Sequence, residues 1–169
     1  LAPGPVQVVY TPGTGNNVTD VAGNESGGFT QMVVSDGYIR GAEVYLDANN
    51  DGIAQDEELI EGAITDARGQ VIVSDDIGEG TLLIVGGVNM DTGAVNKIVI
   101  KTQSGSTAAN LLTTMVEAVK ASGGITDEEA EQIVATGLGI TLQTGQTFST
   151  YDPMADTSES GLVARKAVA

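Results

Sequence analysis

Residues 43–61, "EVYLDANNDGIAQDEELIE", set a short acidic loop directly between two apolar, β-branched runs. "AEVYL" alternates apolar and polar side chains into Asp47, the period of a half-buried strand. "LIEGAITD" leaves the loop with a second strand pattern, and Gly62 disfavours a helix there. This arrangement demands a fold in which two strands approach each other at a negatively charged turn.

Around that turn the chain reads as β. "FTQMVVSDGYIRGAEVYLD" (29–47) predicts two strands flanking a turn at Ser35-Asp36-Gly37, and "LIEGAITDARGQVIVS" (59–74) predicts strand, turn at Asp66–Gly69, strand. "GTLLIVGGV" (80–88) and "NKIVIKT" (96–102) have the β-branched density of buried strands. The turn signals recur at the spacing of a β-sandwich.

After residue 104 the period changes. Leu111, Leu112, Met115, Val116 and Val119 fall at helical spacing in 107–124, and Gly123-Gly124 is a stop signal. Residues 125–140 predict a second helix, opened by Thr126 and Glu129 as a capping box, with Ile133 and Val134 facing the first. From Ser158 a weak helical pattern through Leu162, Val163 and Ala167 runs to the end. The expected organisation is therefore 1–30 as linker or exchanged edge strand, containing the strand-like "PVQVVY" (5–10), then 31–104 as sandwich, then 105–169 as helical hairpin and tail.

The chemistry available is narrow. The chain has no Cys, His or Trp, which removes thiolate and imidazole catalysis and most zinc sites. With 7 Lys and Arg against 23 Asp and Glu, the net charge of −16 argues against nucleic acid and anionic lipid and favours a cation. Glu57 and Glu58, adjacent on one chain, do not face each other as a glycosidase pair must. The expectation is a protein that is not an enzyme.

"DANNDGIAQDEE" (47–58) matches D-x-[DN]-x-[DN]-G-x5-E through Asp47, Asn49, Asp51, Gly52 and Glu58. In that pattern a calcium ion takes oxygens from alternate side chains, from the seventh residue's carbonyl and from a closing carboxylate. Ile53 would supply the carbonyl, and Gln55 or its water the ninth position. A calcium sensor opens by changing the angle between flanking helices, and strands offer no such motion. The predicted ion is structural. Asp66 is a candidate extra carboxylate, set against a reading as a plain hairpin turn.

"VVSDGYIRGAEVYLDANNDGIAQDEELIEGAITDARGQVIV", with the later "NLLTTMV" and "YDPMAD", resembles a module of large bacterial surface proteins and RTX-type adhesins, over roughly residues 33 to 160. The resemblance implies a secreted, calcium-stabilised, Ig-like sandwich of about seven strands, similar to collagen-adhesin B-type and SdrD-B-type domains, with a helical part. It carries Asp47, Asn49, Asp51, Ile53 and Glu58 over as calcium ligands and matches Asp66 to the Asp of a downstream "TDANG" motif. Arg68 stands where that motif has Asn, and Val71 where an aromatic is usual.

The start at Leu1 is read as a processed product or a piece of something longer. The implied role is an adhesin stalk, surface-layer or filament subunit at the cell surface, self-associating through its N-terminal β segment or neighbouring domains. The alternative is a module that grips carbohydrate or peptide through calcium.

Overall fold

The computed structural model describes residues 28–167. "PVQVVY" lies outside them. Seven strands and three α-helices follow in order: β1 (Phe29–Ser35), β2 (Ile39–Asp47), β3 (Leu59–Ile64), β4 (Gln70–Ser74), β5 (Thr81–Asn89), β6 (Ile100–Gln103), β7 (Ala108–Asn110), α1 (Leu111–Ala121), α2 (Asp127–Leu138) and α3 (Glu159–Ala167). The protein is mainly β, with helices confined to its C-terminal part.

The strands form two sheets, one ordered β4-β1-β7 and one ordered β3-β2-β5-β6. Alternation explains how they meet. Met32 and Val34 of β1 and Val71 and Val73 of β4 project into one core with Ala42 and Val44 of β2, Leu82 and Ile84 of β5, and Ile100 of β6. Each sheet thus buries one face against the other, the normal solution for strands apolar on one side.

The connections expected to be hairpins cross between sheets. β3 pairs antiparallel with β2, whereas β4 pairs antiparallel with β1, so the Asp66–Gly69 turn hands the chain from one sheet to the other. Gly69 makes the crossing possible: it sits at φ +70°, and a Cβ there would come within 2.3 Å of the Val34 carbonyl oxygen. The reading of this turn as a plain hairpin is corrected by that crossing.

Two further elements differ from expectation. β6 begins at Ile100 and not at Asn96, because the Asn96 side chain donates to the carbonyls of Gly86 and Ile98 and accepts from the Ile98 N–H, replacing ladder bonds. The helix expected over 107–124 begins at Leu111, and Ala108–Asn110 instead lie parallel to Val33–Ser35 as β7. The sheets therefore take a strand from beyond residue 104.

Asn110 turns strand into helix. It is fully buried, its side chain accepts from the N–H groups of Leu112 and Thr113, and its amide donates to the Tyr151 carbonyl. Thr126 and Glu129 cap α2 reciprocally, as the sequence predicts. The helical core collects Leu112, Val116, Ala130, Val134, Phe148, Tyr151 and Ala164. Ile133, expected to face α1, is 53% exposed, and α3 buries Gly161 and Ala164 while leaving Leu162 and Val163 exposed. Small residues there admit close packing that a hydrophobicity pattern alone does not register.

Candidate metal centre

The loop leaves the sheet at Asp47, the last residue of β2, and returns through a short 3-10 turn, Asp56–Glu58, into β3. Asn50 at φ +57° and Gly52 at φ +75° reverse the chain between them. Both backbone conformations suit the residues present, since Asn and Gly enter the left-handed region most readily.

Its side chains fold inward. Asp47 is buried at the end of its strand and accepts from the N–H groups of Asp51 (3.1 Å) and Gly52 (2.9 Å). Asn49 Oδ1 accepts from the same Asp51 N–H at 2.8 Å. Asp51 Oδ1 takes the Ile53 N–H at 2.8 Å, and its Oδ2 takes the amide groups of Asn49 (3.1 Å) and Gln55 (2.7 Å). Asp47, Asn49, Asp51 and Gln55 are thereby joined in one network. The Ile53 side chain points to solvent, 63% exposed.

Glu58 closes the loop from its far end. It is 8% exposed, and Oε1 accepts from the Ala48 N–H at 3.1 Å. Its other oxygen, Oε2, is buried and takes no hydrogen bond. Neighbouring Glu57 is exposed, so the two adjacent carboxylates occupy unlike surroundings. An unpartnered carboxylate oxygen out of water is costly until a donor or a cation satisfies it.

Among the described residues, no three Asp, Glu, His or Cys side chains converge as a ready-made metal cluster. The oxygen-bearing groups along the loop are the carboxylates of Asp47, Asp51 and Glu58, the amides of Asn49 and Gln55 and the Ile53 carbonyl, with amide N–H groups serving Asp51 Oδ2. Turning the Gln55 amide would present its oxygen in place of its nitrogen, whereas Asn49 Oδ1 is already held by the Asp51 N–H. Such an all-oxygen set suits a hard cation.

Asp66 is not brought to this loop. Its neighbour Thr65 pairs with Gly41 and Ala42, at the opposite end of β2 from Asp47, roughly 20 Å away at about 3.3 Å per residue. Its Oδ1 accepts from the N–H groups of Arg68 (2.8 Å) and Gln70 (2.9 Å), and those bonds hold its carboxyl below the usual range. The candidacy of Asp66 as a ligand beside the loop is corrected by this placement.

One residue the sequence did not single out does reach the loop. A Cβ added to Gly52 would lie 2.6 Å from Lys101 Nζ. The period-2 pattern of β6 turns Lys101 outward, but only the tertiary structure shows which loop it meets.

A second polar region lies beside the helices, a groove of about 1140 Å³ bordered by Gln103, Glu117, Glu131 and Gln143. Glu117 accepts from Gln103 (2.6 Å) and Lys120 (3.2 Å), and Lys120 also pairs with Asp127 at 2.7 Å, fastening α1 to α2. Burial pushes the Glu131 carboxyl up, although it accepts the Phe148 N–H at 3.0 Å. These contacts account for Glu117, Lys120, Asp127 and Glu131 as structural bonds.

The chain matches no protein-family model, no curated protein and no solved structure. Its likeness to calcium-binding surface modules rests on the quoted motifs. No helix among the described residues is long and apolar enough to cross a membrane.

Proposed function

We propose that this chain is a non-catalytic, calcium-stabilised structural module of an extracellular bacterial surface protein, an Ig-like β-sandwich carrying a helical part, serving as adhesin stalk, surface-layer or filament subunit. The observation that carries the reading is the buried, unpartnered Glu58 Oε2 at the mouth of a loop whose other end is the buried Asp47. Calcium held by Asp47, Asn49, Asp51, Glu58, the Ile53 carbonyl and Gln55 or its water would tie the end of β2 to the start of β3. It would also offset part of the self-repulsion of a chain at −16.

An extracellular setting is part of the same proposal. Extracellular sites of this kind bind at about 10⁻⁴–10⁻³ M, a range filled only where calcium is millimolar. Self-association through the N-terminal segment belongs to the same proposal: β4 is an outer strand of its sheet among the described residues, and such an edge accepts an added strand.

Thermal unfolding with calcium and with chelator, beside sedimentation of the same samples, tests the reading. At calcium about 100-fold above Kd the gain is roughly 2.7 kcal/mol, or about 5–10 °C for a chain of this size. A monomer that gains stability is a spacer, and calcium-driven assemblies mark a filament or surface-layer subunit. Equal midpoints in calcium and chelator would remove the proposal.

A further inference from the structure

Lys101 has a main chain fixed by the helical part and a side chain that reaches the loop. Its main chain is held on both sides by α1: the Lys101 N–H donates to Thr114 Oγ1 at 2.9 Å, and Thr113 Oγ1 donates to the Lys101 carbonyl at 2.6 Å. Across the sheet it is in register with Leu83, which is fully buried, and Leu83 is in register with Tyr45 near the end of β2. From this anchored position the ammonium reaches the backbone of Gly52, whose N–H is bound by Asp47 Oδ2 at 2.9 Å. Among the described residues the ion pairs are those of Lys120, so the Lys101 ammonium lies against the loop without closing on one carboxylate.

The loop holds Asp47, Asp51, Asp56, Glu57 and Glu58 within twelve positions. Carboxylates this close along the chain repel one another unless positive charge lies nearby. At φ +75° the Gly52 backbone favours glycine, and the ammonium lies where a Cβ would otherwise project.

We infer that Lys101 is the loop's resident counter-ion: it stabilises the metal-free loop and, by repelling a divalent cation, sets calcium affinity at the weak end of the range. This rests on the calcium reading above and adds to it a residue from a different strand, tied to the helical part. A fixed positive charge opposes a second one entering the same field, and the opposition weakens as salt screens it.

The test is calorimetric titration of chelator-treated protein with calcium chloride, for wild type, Lys101→Met, Lys101→Gln and Lys101→Arg, with thermal unfolding of each in chelator. The neutral variants are expected to bind calcium about three- to tenfold more tightly at low ionic strength, with the gap closing toward 1 M salt. Their metal-free midpoints should fall, and Lys101→Arg should stay near wild type on both measures. Lys166→Gln, an equal charge change on exposed α3, should leave the calcium affinity within about twofold, since distant surface charges are screened. Unchanged affinity in both neutral variants, or equal tightening in Lys166→Gln, overturns the inference while leaving the calcium reading standing. A wild type that takes up no calcium at millimolar concentration overturns both.

Discussion

Two Asp-led turns of this protein solve the same local problem in different ways. Asp66–Gln70 and Asp47–Glu58 both begin at the end of a strand, both contain a glycine at positive φ, and both use an Asp carboxylate to collect backbone N–H groups. In the shorter turn the Asp is exposed and its bonds span only four residues. In the longer loop the anchoring carboxylates Asp47 and Glu58 are buried and lie at opposite ends, and one oxygen has no partner. The short turn is complete as a piece of backbone. The long loop is left with a buried oxygen that its own residues do not satisfy.

The contrast predicts that calcium should separate the two. The largest effect is expected for Asp51→Ala, which takes away the residue to which Asn49, Ile53 and Gln55 all donate. It should lose the whole calcium-dependent gain, roughly 2.7 kcal/mol at 100-fold over Kd, beyond a smaller loss in chelator from those exposed hydrogen bonds. A mutant that keeps the calcium shift would show that the loop is not the site.

Gly69→Ala should come next, at about 2 kcal/mol, because the added methyl meets the Val34 carbonyl and the backbone is left-handed there. Its cost should be the same in calcium and in chelator. Urea unfolding under both conditions checks this, and a calcium-dependent cost would join the crossing turn to the loop.

Glu58→Gln should change sign with conditions. In chelator the neutral amide replaces a buried carboxylate whose Oε2 has no hydrogen-bond partner, so stability should hold or rise by about 1 kcal/mol. In saturating calcium the same variant should be less stable than wild type, having lost a ligand charge. Destabilisation of equal size in both conditions would mean that Glu58 serves only the Ala48 N–H.

The smallest effect is expected for Asp66→Asn, and it should appear only in acid. Backbone bonds depress the Asp66 carboxyl in the folded state, so its contribution is complete above the ordinary carboxylate range and is lost as pH falls through the folded value. The Asn variant should therefore lose less stability than wild type on acidification, followed by circular dichroism from about pH 5 to about pH 2. No calcium dependence is expected, since the residue sits at the other end of β2.

Much of the local structure was readable from particular residues. Alternation into Asp47 marks β2, turn residues between β-rich runs mark β1, β3 and β4, β-branched density marks β5, Thr126 and Glu129 announce the start of α2, and the spacing of Asp47, Asn49, Asp51, Gly52 and Glu58 marks the loop. These signals are short-range: they depend on side-chain period, on capping bonds within one turn and on which residues accept positive φ. β7 was hidden because Ala108–Asn110 continue smoothly into the helical pattern of α1, and only β1 makes them a strand.

What the sequence by itself determined is an acidic, strand-rich chain with a calcium-type loop between two strands and a helical end. Only the tertiary structure decided that the turn at Asp66 crosses between sheets, that Asp66 and Asp47 stand at opposite ends of β2, that Glu58 is buried with one oxygen unpartnered, and that Lys101 lies against Gly52. The physical reason is common to all four. Each depends on which distant strand lies alongside, and that choice comes from filling one shared core, not from any period or motif along the chain.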